Sequence, residues 1–177
     1  MKENKKGYIQ VYTGNGKGKT TAAIGQAIRA AGFGLKIYFA QFMKEYPYSE
    51  LESLKLLKEW ITIEQYGKDD FVYRKELPND EEVSRAKQGL DIAYKKMISN
   101  KFDLIILDEI LVTVYFKLFK EEDIFPFIDD KPENVELILT GRYCPQSIID
   151  KADLVTEMKE VKHYYTQGVL SRKGIES

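Results

Sequence analysis

A chain of 177 residues with 44% hydrophobic side chains has the size and apolar content of one domain spanning 1–177 with a real core. Its 27 Lys and Arg against 28 Asp and Glu leave a net charge of −1, which excludes a global basic field for nucleic acid or for an anionic membrane. The single Cys144 and single His163 exclude a disulfide framework and a zinc or iron–sulfur site, so any metal must be oxygen-bound. The opening MKENKKGYIQ is polar and no later stretch is apolar enough to span a bilayer, so the expected compartment is the cytoplasm.

In chain order, Tyr8 to Tyr12 reads as a short strand ending at glycines. Thr20 to Ala31 follows as a helix with Ala23, Ile24, Ala27, Ile28 and Ala31 on one face, stopped by Gly32 and Gly34. Lys36 to Phe42 is a second strand, Ser49 to Glu59 an amphipathic helix, and Ile61 to Tyr66 a third strand. Periodicity fails from Gly67 to Asn79, which predicts a long connection, and Asp80 opens a helix to about Ser99 with acids in its first turn. Leu104 to Leu107 is a continuous apolar run expected of a strand buried on both faces. Helical stretches from about Leu111 and from Glu121, a strand at Val135 to Leu139, a short helix from Pro145, a strand near Leu154 to Met158 and a tyrosine-bearing tail complete the chain. This alternation predicts an α/β fold of three layers, P-loop NTPase-like (RecA-like), with a mostly parallel central sheet and ligands beyond the carboxyl ends of its strands.

The segment from Thr13 to Thr20, TGNGKGKT, lies at the first strand-to-helix junction. It departs from the common Walker A pattern by one residue, Thr13 standing where the first glycine belongs, yet the mechanics survive. Gly14, Gly16 and Gly18 allow backbone N–H groups to converge on phosphate oxygens, Lys19 supplies a point charge, and the Thr20 hydroxyl suits magnesium. The helix that follows aims its positive end at the same anion. Leu104 to Glu109 then supplies a buried strand delivering Asp108 and Glu109 at its carboxyl end, where magnesium on a triphosphate needs acidic ligands. Arg142, after the next strand, is a candidate clamp for a phosphate or a substrate carboxylate, whereas Arg29 reads from its helix position as solvated.

These motifs alone leave the chemistry open. No guanine-reading Asn/Thr-Lys-x-Asp motif and no arginine-rich lid is evident, which argues against a small GTPase and a nucleoside monophosphate kinase. A generic NTPase or phosphotransferase acting at the γ-phosphate remains compatible, with Glu109 as base and Arg142 as finger. So does a nucleotide switch that binds a partner through Tyr164 and Tyr165.

Nearly the whole chain resembles the ATP:corrinoid adenosyltransferases of the CobA/BtuR type. The resemblance is carried by VYTGNGKGKTTAA, by Gln41-Phe42-Met43-Lys44, by LIILDEI, by LTGR at Leu139 to Arg142, and by the blocks from Ala152-Asp153 through Val161-Lys162-His163 to Gly174-Ile175. It implies that the cobalt(I) of a reduced corrinoid attacks the 5′ carbon of ATP and displaces triphosphate, with the γ-phosphate deepest in the loop. It further implies nucleotide contacts from Thr13, Gly14, Asn15, Gly16, Lys17, Gly18, Lys19, Thr20, Thr21, Arg29, Gln41, Lys44 and Arg142, and Mg2+ held near Thr20, Asp108 and Glu109. The family's aromatic pair that walls off cobalt is best matched by Phe71 and Tyr73, with Tyr in place of Trp. A reduced flavoprotein as electron donor and a homodimer are further expectations, while the seven residues up to Gly7 are too few for the covering helix some members carry. A ligating imidazole would oppose removal of cobalt's lower axial ligand, so His163 is expected to be structural or to position substrate.

Overall fold

The computed structural model describes residues 6–44, 48–67 and 77–176. Six strands, β1 (Ile9–Thr13), β2 (Ile37–Phe42), β3 (Ile61–Tyr66), β4 (Leu104–Asp108), β5 (Glu136–Thr140) and β6 (Leu154–Glu157), form one sheet in the order β3-β2-β4-β5-β1-β6. Every pairing is parallel, so the sheet is wholly rather than mostly parallel. Three strands run one residue further than their apolar pattern suggested. Thr13, Asp108 and Thr140 therefore belong to the sheet's carboxyl edge and are fixed by its ladder rather than held on loops.

The alternation of side chains along each strand divides the core in two. Ile37, Phe39, Leu104, Ile106 and Ile138 face one way, beneath α1 (Lys19–Gly32) and α2 (Ser49–Lys55). Tyr38, Ala40, Ile105, Leu107, Leu137 and Leu139 face the other, beneath α3 (Asp80–Met97), α4 (Ile110–Tyr115), α5 (Phe125–Asp129) and α6 (Gln146–Ile149). Helices on both faces of one parallel sheet make the α/β three-layer, P-loop NTPase-like architecture.

Small residues decide how closely α1 approaches the sheet. Its buried face is Ala23, Ala27, Ala30 and Ala31, which lets the helix lie flat over the central strands and brings its first turn against the ends of β1 and β4. α3 starts at a capping box, the Asn79 side chain accepting from the Glu82 N–H and the Glu82 carboxylate from the Asn79 N–H, both at 2.9 Å. Three acids in its first turn and two lysines in its last complement the helix dipole. Gly89 in α3 sits where an added Cβ would come 2.4 Å from the Tyr66 ring, so a glycine there sets the packing of α3 on β3.

Two helical expectations are shortened by packing. α2 stops at Lys55 because Leu54 is its last buried anchor and Leu56 is exposed; the Leu57 carbonyl then accepts from Trp60 and Ile61 N–H groups and turns the chain into β3. The stretch from Glu121 is a 3-10 turn, Glu121–Asp123, followed by the separate α5, with Pro126 in the first turn where its missing N–H costs nothing.

Candidate active site

The carboxyl edge of the sheet gathers the polar residues that the rest of the core excludes. Asp108 is wholly buried at the end of β4, in register with Gln41 of β2. A buried carboxylate needs donors, and Asp108 has four. Its Oδ1 accepts from the hydroxyls of Thr20 (3.0 Å) and Thr140 (2.7 Å). Its Oδ2 accepts from the Lys44 ammonium (3.0 Å) and the Gln41 amide (3.4 Å). The cluster extends outward, because the Gln41 amide also donates to Glu50 at 3.1 Å while its carbonyl accepts from Gln65 at 3.1 Å. Burial works against the Lys44 charge, but Asp108 and Glu50 outweigh it and hold that ammonium above its ordinary value.

Glu109 follows in the left-handed region, at φ 60°, and its N–H donates to the Thr140 hydroxyl at 2.9 Å. Met43 after β2 (φ 54°) and Tyr143 after β5 (φ 58°) are also left-handed, so three neighbouring strands end in backbone that non-glycine residues rarely adopt. At Gly141 (φ 145°) a Cβ would meet Leu111 Cβ at 2.8 Å, which makes glycine obligatory between Thr140 and Arg142. Burial, reinforced by the charge of Asp108, pushes the Glu109 carboxyl above its ordinary value; Lys44, Lys19 and Arg142 pull the other way.

The loop before α1 closes around Lys19, whose ammonium donates to the carbonyls of Gly14 (2.7 Å) and Gly16 (2.8 Å) and is itself buried. Burial lowers its affinity for a proton, against the attraction of Glu109. The glycines have a second reason to be there. The backbone after β6 packs on the loop so closely that a Cβ on Gly14 or Gly16 would lie 2.5 or 2.6 Å from the Met158 carbonyl oxygen. One amide expected to face phosphate, that of Gly16, donates to that same oxygen at 2.6 Å.

A polar cavity of about 470 Å³ opens beside this cluster, within the size range of small-molecule sites. Lys17, Thr20, Thr21, Lys44 and Glu109 line it, so the structure brings these predicted residues to one space. Thr13 and Gln41 are buried and do not line it, and Asn15 is exposed in the loop. Arg142 is exposed, with its charge felt by both Lys19 and Glu109. Arg29 is exposed on the last turn of α1, roughly 15 Å along the helix from Lys19 at 1.5 Å per residue, and donates to Gln26. Phe71 and Tyr73 lie outside the described residues. The segments that flank them, through Gly67 and from Asn79, border a second cavity of about 100 Å³ lined by Phe42, Met43, Tyr66 and Leu118. His163 accepts the Tyr165 N–H on Nδ1 at 3.1 Å and so caps the turn Tyr164–Gln167.

Among the described residues no group of three or more His, Cys, Asp or Glu converges to hold a metal. Thr20 and Glu109 line the cavity as hard oxygen donors, which fits Mg2+, an ion that takes few protein ligands and completes its shell with phosphate and water; Asp108, with both oxygens bonded, stands behind Thr20. Among the described residues no helix is long and apolar enough to cross a membrane. Thr140 and Glu50 join the cluster with no motif in the sequence to mark them. Thr140 was signalled only by its place between an apolar strand and a glycine, and Glu50 by nothing local.

The family model described as ATP:corrinoid adenosyltransferase BtuR/CobO/CobP matches residues 5–177. The chain is 31% identical over 175 residues to the corrinoid adenosyltransferase of Escherichia coli K12, covering 98% of this chain and 87% of that protein. It is 33% identical over 176 residues to the corrinoid adenosyltransferase CobA of Salmonella typhimurium LT2, with the same two coverages, 98% and 87%. The corrinoid adenosyltransferase of Pseudomonas aeruginosa PAO1 is 27% identical over 174 residues, 98% of this chain and 85% of that protein.

Proposed function

Because the chain belongs to the ATP:corrinoid adenosyltransferase family, we propose that its carboxyl-edge cavity binds ATP and presents the nucleotide's 5′ carbon to a reduced corrinoid. The reaction transfers the 5′-deoxyadenosyl group to cobalt(I) and releases triphosphate. The cobalt electron pair forms the Co–C bond, the C5′–O bond breaks, and the leaving oxygen keeps its electrons. Cleavage at the γ-phosphate is not favoured.

The observation that supports this reading at residue level is the gathering of Lys44, Thr20 and Glu109 at one cavity, next to the loop that encloses the buried Lys19. A departing triphosphate concentrates negative charge, and two buried or half-buried ammonium groups stabilise it most where water is scarce. Lys19, centred under the loop, holds the terminal phosphate. Lys44 is neutralised by Asp108 and Glu50 and stands at the cavity wall, from which its flexible stem reaches the inner phosphates. Thr20 and Glu109, with Asp108 behind Thr20, would hold Mg2+, which supplies further neutralisation of the leaving group. Gln41, Gln65 and Thr140 keep the carboxylate of Asp108 fixed, so the geometry needs little reorganisation as the bond breaks.

Phe71 and Tyr73 are the proposed walls that deny cobalt an axial ligand, and Arg29, Asn15 and Arg142 are proposed as outer nucleotide contacts. A cobalamin or a biosynthetic precursor as acceptor, a reduced flavoprotein as donor, a homodimer, a single domain over 1–177 and a cytoplasmic setting complete the proposal. Anaerobic incubation with ATP, Mg2+ and chemically reduced cobalamin tests it. Adenosylcobalamin formed with one equivalent of triphosphate is the expected result, and ADP plus phosphate with unalkylated corrinoid overturns it.

A further inference from the structure

Beyond β6 the chain does not leave the site. The Met158 N–H donates to the Thr13 carbonyl at 2.8 Å and its carbonyl accepts from Gly16, so the tail begins stitched to the cradle. It then turns at Tyr164–Gln167, reverses at Gly168 (φ 84°) and comes back as a closed clasp. Within the clasp the Glu176 carboxylate accepts from the Arg172 guanidinium at 2.9 and 3.2 Å, from the Arg172 N–H at 2.8 Å, and from the Tyr164 hydroxyl. The Arg172 guanidinium also lies 5.0 Å from the Tyr164 ring centre. These bonds hold Gly174, Ile175 and Glu176 against the 470 Å³ cavity, and the Lys17 ammonium tethers them by donating to the Ile175 carbonyl at 3.0 Å.

We propose that this C-terminal clasp is the nucleoside wall of the nucleotide site, with the Ile175 side chain packing on the adenosine moiety and Lys17 fixing it there. The inference rests on the nucleotide reading above and deepens it. The phosphates are assigned to the part of the cavity lined by Thr20, Lys44 and Glu109, next to the loop that encloses Lys19. The nucleoside then takes the remaining lining, which includes Ile24 one turn along α1, Ser49 and Ser53 of α2, and Gly174 and Ile175 of the clasp. Ile175 is 57% exposed, an apolar side chain kept at a polar cavity by bonds that do not involve it. A carboxylate at such a cavity would repel a polyanion, but Arg172 and Tyr164 consume the oxygens of Glu176, and their bonds hold its carboxyl down to about 2, so it stays a structural anion.

The test is equilibrium and stopped-flow binding of a fluorescent ATP analogue with Mg2+, corrinoid absent, beside competition by inorganic tripolyphosphate. For Ile175→Ala the expected result is ATP affinity about tenfold weaker, from faster dissociation, with tripolyphosphate affinity within about twofold of wild type. Arg172→Ala, at an exposed position that leaves the core intact, should raise the nucleotide dissociation rate similarly by loosening the clasp. Mg-ATP should protect the peptide bonds after Arg172 and Lys173 from trypsin, and tripolyphosphate should not. Unchanged ATP binding in Ile175→Ala, or equal losses for ATP and tripolyphosphate, overturns the nucleoside wall. If the wild-type protein binds tripolyphosphate but no nucleotide, it is the nucleotide reading that fails instead.

Discussion

Thr140 offers a direct test of the buried network, because its side chain does two things at once. Its hydroxyl donates to Asp108 at 2.7 Å and accepts the Glu109 N–H at 2.9 Å, with both Thr140 and Asp108 wholly buried. Thr140→Val keeps the shape and removes both bonds. A hydrogen bond to a buried charge contributes roughly 1.5–3 kcal/mol, and an orphaned buried N–H costs roughly 1–3 kcal/mol. Asp108 retains three other donors, which puts its share at the low end, so the sum is about 3 kcal/mol. For a chain of this length that lowers Tm by about 6–12 °C. Thermal unfolding followed by circular dichroism, without ligand, measures it. Thr140→Ser, which restores the hydroxyl, should recover most of the loss. Thr113→Val is the control: that buried hydroxyl donates only to the Ile110 carbonyl of its own helix, so its removal orphans no N–H and should cost under ~1 kcal/mol. A Thr140→Val protein melting within about 2 °C of wild type would refute the claim that this hydroxyl holds the two acids in place.

On the proposed site, Lys19→Ala, which removes an ammonium assigned to triphosphate, and Thr20→Ala, which removes a hydroxyl assigned to Mg2+, should each reduce adenosyl transfer by at least about a hundredfold; near-normal turnover in a corrinoid alkylation assay would remove that residue from the site. The raised Glu109 carboxyl makes a pH prediction for the ligand-free protein. A proton held more tightly in the fold than in the unfolded chain stabilises fully below the unfolded value of about 4.3, and that stabilisation is lost as pH rises through the raised folded value. Melting in the presence of a chelator should therefore show wild type losing stability with rising pH relative to Glu109→Gln, and parallel curves would contradict it. Burial, with Glu121 adding, pushes the Cys144 thiol up to about 12. Its alkylation at pH 8 should be at least about 100-fold slower than that of a free thiol and should accelerate as pH rises, whereas rapid labelling at pH 8 would show an ionised, accessible thiolate.

The elements that chemistry needs were legible locally because they are made by short-range backbone physics. A strand ending in TGNGKGKT before an alanine-faced helix, and an apolar strand ending in Asp108-Glu109, each form from contiguous residues whose periodicity and glycine content are visible in one dimension. Both elements form in the fold where expected, and the alternation that predicted a mostly parallel sheet with helices on both faces yields one that is wholly parallel. The strand ends were less legible, since Thr13, Asp108 and Thr140 are polar and break the apolar pattern at the positions where the ladder continues.

What the sequence by itself determined is therefore the cradle, the acidic strand and the layering; what tertiary structure decided is who meets whom at the carboxyl edge. Asp108 meets Lys44 across 64 residues, Thr20 across 88 and Thr140 across 32. Strand order sets those meetings, since β4 lies between β2 and β5 and its last residue must find donors from both sides. The same ordering puts β6 beside β1, so the tail packs on the cradle loop, takes the Gly16 amide and brings Ile175 within reach of Lys17, 158 residues away. No periodicity encodes such contacts, because a buried charge recruits whatever donors the fold brings within about 3 Å, however distant they are along the chain.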